Sequence, residues 1–191
     1  GIAIGLPTIK DFDNVPLRAM LQAQLPHKVH LENDGIAAAI GEWKFGAGQG
    51  LKSLVYITVS TGIGGGVIID GHVMRGRKGM AGHIGHMAIM PNGLRCNCGS
   101  LGCWEAYAAG PAFTARANAK SAADVFAAAK LGDLEAQKQV DVEVGYLSLG
   151  ITSLLHLYSP EAIIMGGGLS NAFDQLHPGI AAYVSQNAMP A

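Results

Sequence analysis

A mixed α/β fold is predicted by two patterns in the chain: β-branched apolar runs alternate with alanine-rich helical segments, and glycine clusters fall between them. Hydrophobic residues make up 49% of the 191, enough for one or two lobes with a real core. Charged residues are only 14%, the formal net charge is -1 and no block of like charge occurs. This gives no electrostatic footprint for nucleic acid or an anionic membrane. No apolar run reaches the roughly 18 residues that a bilayer span needs, and no basic-then-apolar leader opens the chain. A cytoplasmic protein is expected.

The elements follow in order. Residues 2–6 are apolar and precede a Pro/Asp/Asn turn region and a short helical pattern at 16–21. Residues 29–31 read as a short strand. Asn33 or Asp34 can cap an alanine-rich helix over 35–45, because a side-chain oxygen there accepts from exposed helical N–H groups. Residues 54–59 and 66–69 are apolar strands flanking Ser60-Thr61-Gly62-Ile63-Gly64-Gly65, which reads as a hairpin with a glycine-rich turn. Asp70-Gly71 marks a second tight turn toward a strand at 72–74. Ser121 caps a helix over 122–130, a longer helix runs over 133–158, and Pro160 ends it. Residues 162–165 form a buried-strand candidate delivering Gly166-Gly167-Gly168, after which 171–186 returns to a helical pattern.

The most specific chemical signal is His86-x9-Cys96-x-Cys98-x4-Cys103, which contains all three cysteines of the chain. An odd, tightly clustered set suits a metal in a reducing compartment better than a disulfide framework. One imidazole and three thiolates satisfy tetrahedral zinc and leave no open position for water, so the metal would be structural. Pro91, Asn97, Gly99 and Gly102 supply the turns such a loop needs.

The glycine-rich turn at Thr61, Gly62, Gly64 and Gly65 can bring N–H groups and a hydroxyl to phosphate oxygens, yet a plain hairpin turn explains it as well. It matches neither the Walker nor the Rossmann pattern, since it joins strand to strand and no Lys-Ser/Thr follows. Gly166, Gly167 and Gly168 have the same two readings. Asn33, Asp34, His83, His86 and Glu105 are polar residues that spacing alone cannot bring together. Asp34 can accept a substrate hydroxyl proton during phosphoryl transfer, or it can simply cap a helix. For Glu105 and His83 the plain alternative is a solvated side chain. His27, His30, His72, His156 and His177 carry no functional expectation, and Trp43, Trp104 and Phe126 are expected in the core.

Taken together, Leu31-Glu32-Asn33-Asp34, Ser60-Thr61-Gly62-Ile63-Gly64-Gly65-Gly66, Gly85-His86, Pro91-Asn92-Gly93, Cys96-x-Cys98-Gly99-x-x-Gly102-Cys103-x-Glu105 and Gly166-Gly167-Gly168 resemble the ROK family. The resemblance implies an actin-like, ribonuclease H-like ATPase fold. Residues 1–48 would end an N-terminal lobe, and 49–191 would form the C-terminal lobe with an inserted structural zinc loop. It also implies transfer of the γ-phosphoryl group of ATP to a sugar hydroxyl, usually that on carbon 6, with magnesium at the phosphates. Asp34 would be the catalytic base, and Asn33, His83, His86 and Glu105 would face the sugar. Thr61, Gly62, Gly64 and Gly65 resemble a phosphate loop, and Gly166 to Gly168 resemble the loop that meets the adenosine. His86 would hold zinc through one ring nitrogen and a sugar oxygen through the other. A homodimer or tetramer is implied.

Two departures from the family pattern matter. His83 stands where many members carry a sugar-binding glutamate. Gly82-His83-Ile84-Gly85-His86 is similar to N-acetylmannosamine kinases, whereas Cys103-Trp104-Glu105-Ala106-Tyr107 is equally like glucokinases. An imidazole lacks the paired acceptors of a carboxylate, so hydroxyl preference should differ. The family's Asp-x-Gly-x-Thr turn is absent from the chain, and the end at Pro190-Ala191 precedes an expected last helix, so this chain by itself is expected not to phosphorylate sugar. The alternative is a ROK transcriptional repressor, which binds a sugar effector behind a helix-turn-helix.

Overall fold

The computed structural model describes residue 2 and residues 12–189, which form two compact units, residues 1–33 and 34–191. In the first, α1 (Leu17–Gln24) has no buried residue, with Leu17 and Leu21 half-buried and the rest exposed. The strand expected at 29–31 does not form. Val29 N donates to Gln22 Oε1 at 2.9 Å, and Gln22 Nε2 donates to His27 O at 2.9 Å, so one side chain takes the bonds that a neighbouring strand would supply. Of the apolar opening, residues 3–6 lie outside the described residues.

The second unit is built on a sheet of order β3-β2-β1-β4. β1 (Leu54–Val59) and β2 (Ile63–Ile69) pair antiparallel, β3 (His72–Val73) extends that hairpin, and β4 (Ala162–Gly166) runs parallel to β1. Both faces are covered, which explains why β1 reads as a continuous apolar run rather than an alternating one. Leu54 and Tyr56 pack with Ala39 of α2 (Asp34–Phe45), while Val55, Ile57 and Val59 enter the main core with Trp104, Phe113, Leu147, Leu154 and Leu176. That division is the period-2 alternation of a strand placed between two layers. The main core is completed by α3 (Glu105–Ala108), α4 (Gly110–Arg116), α5 (Ala122–Lys130), α6 (Leu134–Tyr158) and α7 (Phe173–Asn187).

The caps behave as their side chains dictate. Asp124 N donates to Ser121 Oγ at the start of α5, and Ala136 N donates to Asp133 Oδ1 at 2.8 Å at the start of α6. α6 ends at Tyr158 as Ser159 turns left-handed at φ 41°, one residue before Pro160. Asp70 and Gly71 have φ of 50° and 75°, the two positive values that a tight hairpin turn requires.

Several boundaries differ from the sequence reading. β2 starts at Ile63, so Gly64 to Gly66 lie within the strand and the turn contracts to Ser60–Thr61–Gly62, closed by Ser60 N donating to Gly62 O. α1 starts one residue later than its pattern, at Leu17, and ends three residues later, at Gln24. α7 begins at Phe173 because residues 168–172 first wind into a 3-10 turn. Among the described residues no helix is long and apolar enough to cross a membrane.

Candidate active site

The start of β2 is the platform on which the polar residues assemble. The N-terminus of α2 presses on it: a Cβ on Gly35 would lie 2.6 Å from Gly65 O, so only glycine permits the approach that places Asp34 beside the strand. Asp34 is exposed, is the first residue of α2 rather than its cap, and its Oδ1 accepts from Gly35 N at 2.9 Å. The segment holding His83 and His86 crosses the same place. Gly82 abuts Gly65 O, Ile84 is buried against Gly65, and Gly85 lies so close to Ile63 O that any side chain would collide with that carbonyl. The rings of His83 and His86 stack with centroids 6.1 Å apart. From the other side Glu105, the first residue of α3, accepts from Ile63 N through Oε2 at 2.9 Å.

Asp34, His83, His86 and Glu105 therefore converge on residues 63–65, although 71 positions separate the first from the last. Asn33 belongs to the unit of residues 1–33, where its N–H donates to Glu32 Oε1. An open cavity of about 310 Å³ borders Thr61, Arg95, Cys96, Asn97, Glu105 and Pro111 beside this platform.

The four predicted metal ligands also come together. The ligand atoms of His86, Cys96, Cys98 and Cys103 all lie within 4.8 Å of one another, with Cys96 Sγ 3.7 Å from His86 Nδ1 and Cys98 Sγ 3.6 Å from Cys103 Sγ. Zinc–sulfur bonds of about 2.3 Å place tetrahedral sulfur ligands roughly 3.8 Å apart, so the set is compatible with zinc. Gly99 and Gly102 adopt φ of 94° and 77° in this loop, and the pairs Ala88–Cys103 and Arg95–Leu101 hold its sides together. Burial raises the Cys96 thiol and pushes Cys103 up to about 12, whereas the Ser100 N–H bonded to exposed Cys98 lowers that thiol. Metal binding here must displace thiol protons.

The two glycine loops leave neighbouring strands at one end of the sheet, since Thr58 pairs with Gly166 in the parallel register. Gly167, at φ 88°, comes so close to Val59 that a Cβ would lie 2.7 Å from its N. Gly110 N donates to Ser60 O at 2.7 Å and ties α4 to the same turn. Thr61 is exposed and Gly62 sits over the Glu105 carboxylate.

The sequence reading passed over Arg116, Glu143 and Tyr107. Arg116 Nη2 donates to Glu143 Oε2 at 2.6 Å and Nη1 to Tyr107 O at 2.9 Å, while Leu94 N donates to Tyr107 Oη at 2.6 Å. Glu143 is fully buried. A signal existed: Glu143 occupies the apolar stripe Val140, Leu147, Gly150, Leu154 of α6, where a carboxylate demands a partner.

The chain matches the ROK family over residues 2–190. It is 36% identical over 213 residues to a glucokinase of Thermotoga maritima and 34% identical over 194 residues to a xylose repressor of Bacillus subtilis. These alignments take in 100% and 93% of this chain, which spans 66% and 50% of the two relatives' lengths. The crystal structure of a ROK family glucokinase from Streptomyces griseus in complex with glucose and AMPPNP superposes with a TM-score of 0.86 at 32% identity, covering 100% of this chain and 70% of that one. A family match along nearly the whole chain, carried by a fold that assembles the motif residues about one strand, makes this chain a member of the ROK family.

Proposed function

We propose that the chain is part of an ATP-dependent sugar kinase of actin-like fold, with residues 1–48 ending one lobe and 49–191 forming the other. It transfers the γ-phosphoryl group to the 6-hydroxyl of an aldohexose or N-acylhexosamine, with glucose or N-acetylmannosamine favoured. The observation that carries this reading is the exposed Asp34 carboxylate on the platform that also holds His83, His86 and Glu105. Asn33, His83, His86 and Glu105 bind sugar hydroxyls, and Asp34 accepts the proton of the attacking hydroxyl as its oxygen bonds to the γ-phosphorus and the bond to the ADP oxygen breaks. Thr61 and Gly62, with Gly64 and Gly65 behind them, approach the phosphates, and Gly166 to Gly168 approach the adenosine. Positioning and charge stabilisation supply most of the catalysis in this reaction class.

His86 Nδ1 and the three thiolates would hold zinc, which would order the loop that leads into Glu105 and leave His86 Nε2 for a sugar oxygen. Magnesium neutralises phosphate charge in this chemistry. The one group of three or more metal-binding side chains among the described residues is the zinc set, so no residue here is assigned to magnesium.

The test is turnover on glucose, N-acetylmannosamine and N-acetylglucosamine by the complete, zinc-loaded gene product and its Asp34→Asn variant. Loss of turnover by about 10²–10⁴ with sugar binding retained supports the base assignment. The repressor relative favours a second reading, a sugar-binding regulator. Sugar binding without turnover in the wild-type complete product would favour that reading over the kinase.

A further inference from the structure

We propose that the ion pair between Arg116 and the buried Glu143 is a positioning device for Glu105, acting through the one-turn helix α3 and the loop that enters the metal cluster. The inference rests on the reading of Glu105 as a sugar-facing carboxylate. α3 has four residues, Glu105–Ala108, too few to hold a helical turn by internal bonds alone. Its shape must come from its surroundings, and three contacts provide it. Trp104, fully buried before the helix, donates from Nε1 to Tyr146 O at 2.8 Å. Arg116 Nη1 bonds the Tyr107 carbonyl, one of the carbonyls that a short helix leaves without an internal partner. Tyr107 Oη in turn accepts from Leu94 N, two residues before Cys96.

Arg116 is therefore the fixed point for both ends of the arrangement, and Glu143 aims it. Glu143 lies on the 25-residue helix α6, the longest rigid element of the unit, and is fully buried, whereas the Arg116 side chain is 23% exposed. The guanidinium also lies over the Phe113 and Tyr146 rings, 5.5 and 5.3 Å from their centroids. A simple stabilising contact would satisfy all of its polar atoms. Here Arg116 Nε and Glu143 Oε1 are buried without a hydrogen-bond partner. Apolar residues would fill the space without that penalty. What the pair supplies in return is orientation of the Tyr107 carbonyl and hence of Glu105, whose Oε2 must reach Ile63 N.

The test replaces the pair together, Arg116→Met with Glu143→Met, because paired apolar replacement of a buried ion pair usually preserves folding. Tyr107→Phe is the second variant and removes only the bond to Leu94 N. In the paired variant, amide exchange at Ile63 and Leu94 is expected to quicken about tenfold while β1 amides keep their rates. In the complete gene product, sugar KM is expected to rise about tenfold with kcat within twofold, and the rise should vanish when the pair is replaced in a Glu105→Gln background. Tyr107→Phe should quicken Leu94 exchange and raise KM in the same sense. Unchanged exchange at Ile63, or a KM effect that multiplies undiminished with Glu105→Gln, overturns the inference. A wild type that binds no sugar defeats the functional reading, and the exchange comparison then decides the positioning role alone.

Discussion

Replacing Glu143 with glutamine should remove a definite slope from the pH dependence of folding stability. Burial pushes this carboxyl from 4.5 up to about 7, opposed by the Arg116 hydrogen bond and charge. The native state thus holds the Glu143 proton more tightly than the unfolded chain does. Stability from this group is full below pH 4.5, falls as pH rises, and is lost by the time pH passes about 7. At about 1.4 kcal/mol per unit, the span amounts to about 3 kcal/mol. Glutamine does not titrate, so the histidines and cysteines contribute equally to wild type and variant and cancel in the difference. The assay is urea unfolding of both proteins at fixed zinc between pH 5 and 8. Unfolding free energy of wild type minus variant should fall by about 2–3 kcal/mol across that range. A difference that stays constant would show that Glu143 is ionised throughout. One that rises with pH would show that Arg116 outweighs burial, and either result refutes the reasoning.

Further outcomes follow from the same packing. Gly85→Ala drives a methyl group into Ile63 O, and should cost about 1–3 kcal/mol in chemical denaturation while weakening zinc retention, because His86 is carried off the platform; full stability with normal metal content would contradict this. Chelation of zinc should quicken amide exchange across residues 88–103 while leaving α6 protected, since without metal nothing but weak thiol contacts ties the four side chains together and the main core does not depend on them. An apo loop exchanging no faster than the zinc-loaded one would exclude the structural role. Asp133→Ala removes the acceptor for Ala136 N and should lower unfolding free energy by about 1 kcal/mol without altering sugar KM.

Much of this fold was legible because local chemistry and tertiary placement agree. β1 was readable to the residue: its two buried faces make an uninterrupted apolar run. Ser121 announces α5 because the residues that cap helices also disfavour their interiors, and α6, expected from Asp133, starts one residue later with Asp133 as its cap. The four candidate metal ligands were legible as a cluster since they are local in sequence, spanning His86 to Cys103. Legibility failed where a partner is remote. Residues 29–31 have a strand's composition, yet a glutamine seven residues away takes the Val29 amide. Glycines 64 and 65 look like a turn, but the strand runs through them, and Gly65 and Gly66 lack the side chains that would keep α2, Gly82 and Ile84 off it.

The same logic explains why Asp34, His83 and Glu105 were visible only as scattered polar residues. Nothing in their spacing encodes a meeting point; the encoding lies in the residues beside them that lack side chains. Gly35 stands next to Asp34, Gly82 next to His83, and Gly85 next to His86, and each removes the Cβ that would hold its neighbour away from residues 63–65. A site built this way is specified by close backbone approach, so enlarging one flanking glycine should disturb it as surely as removing a polar group. Arg116 and Glu143 extend the rule into the core. A carboxylate in an apolar helical stripe predicts a cationic partner, and the fold supplies it from α4, 27 residues earlier. The chemistry of the site is thus spread over three kinds of signal: polar residues that act, glycines that admit them, and a buried charge pair that fixes the turn between.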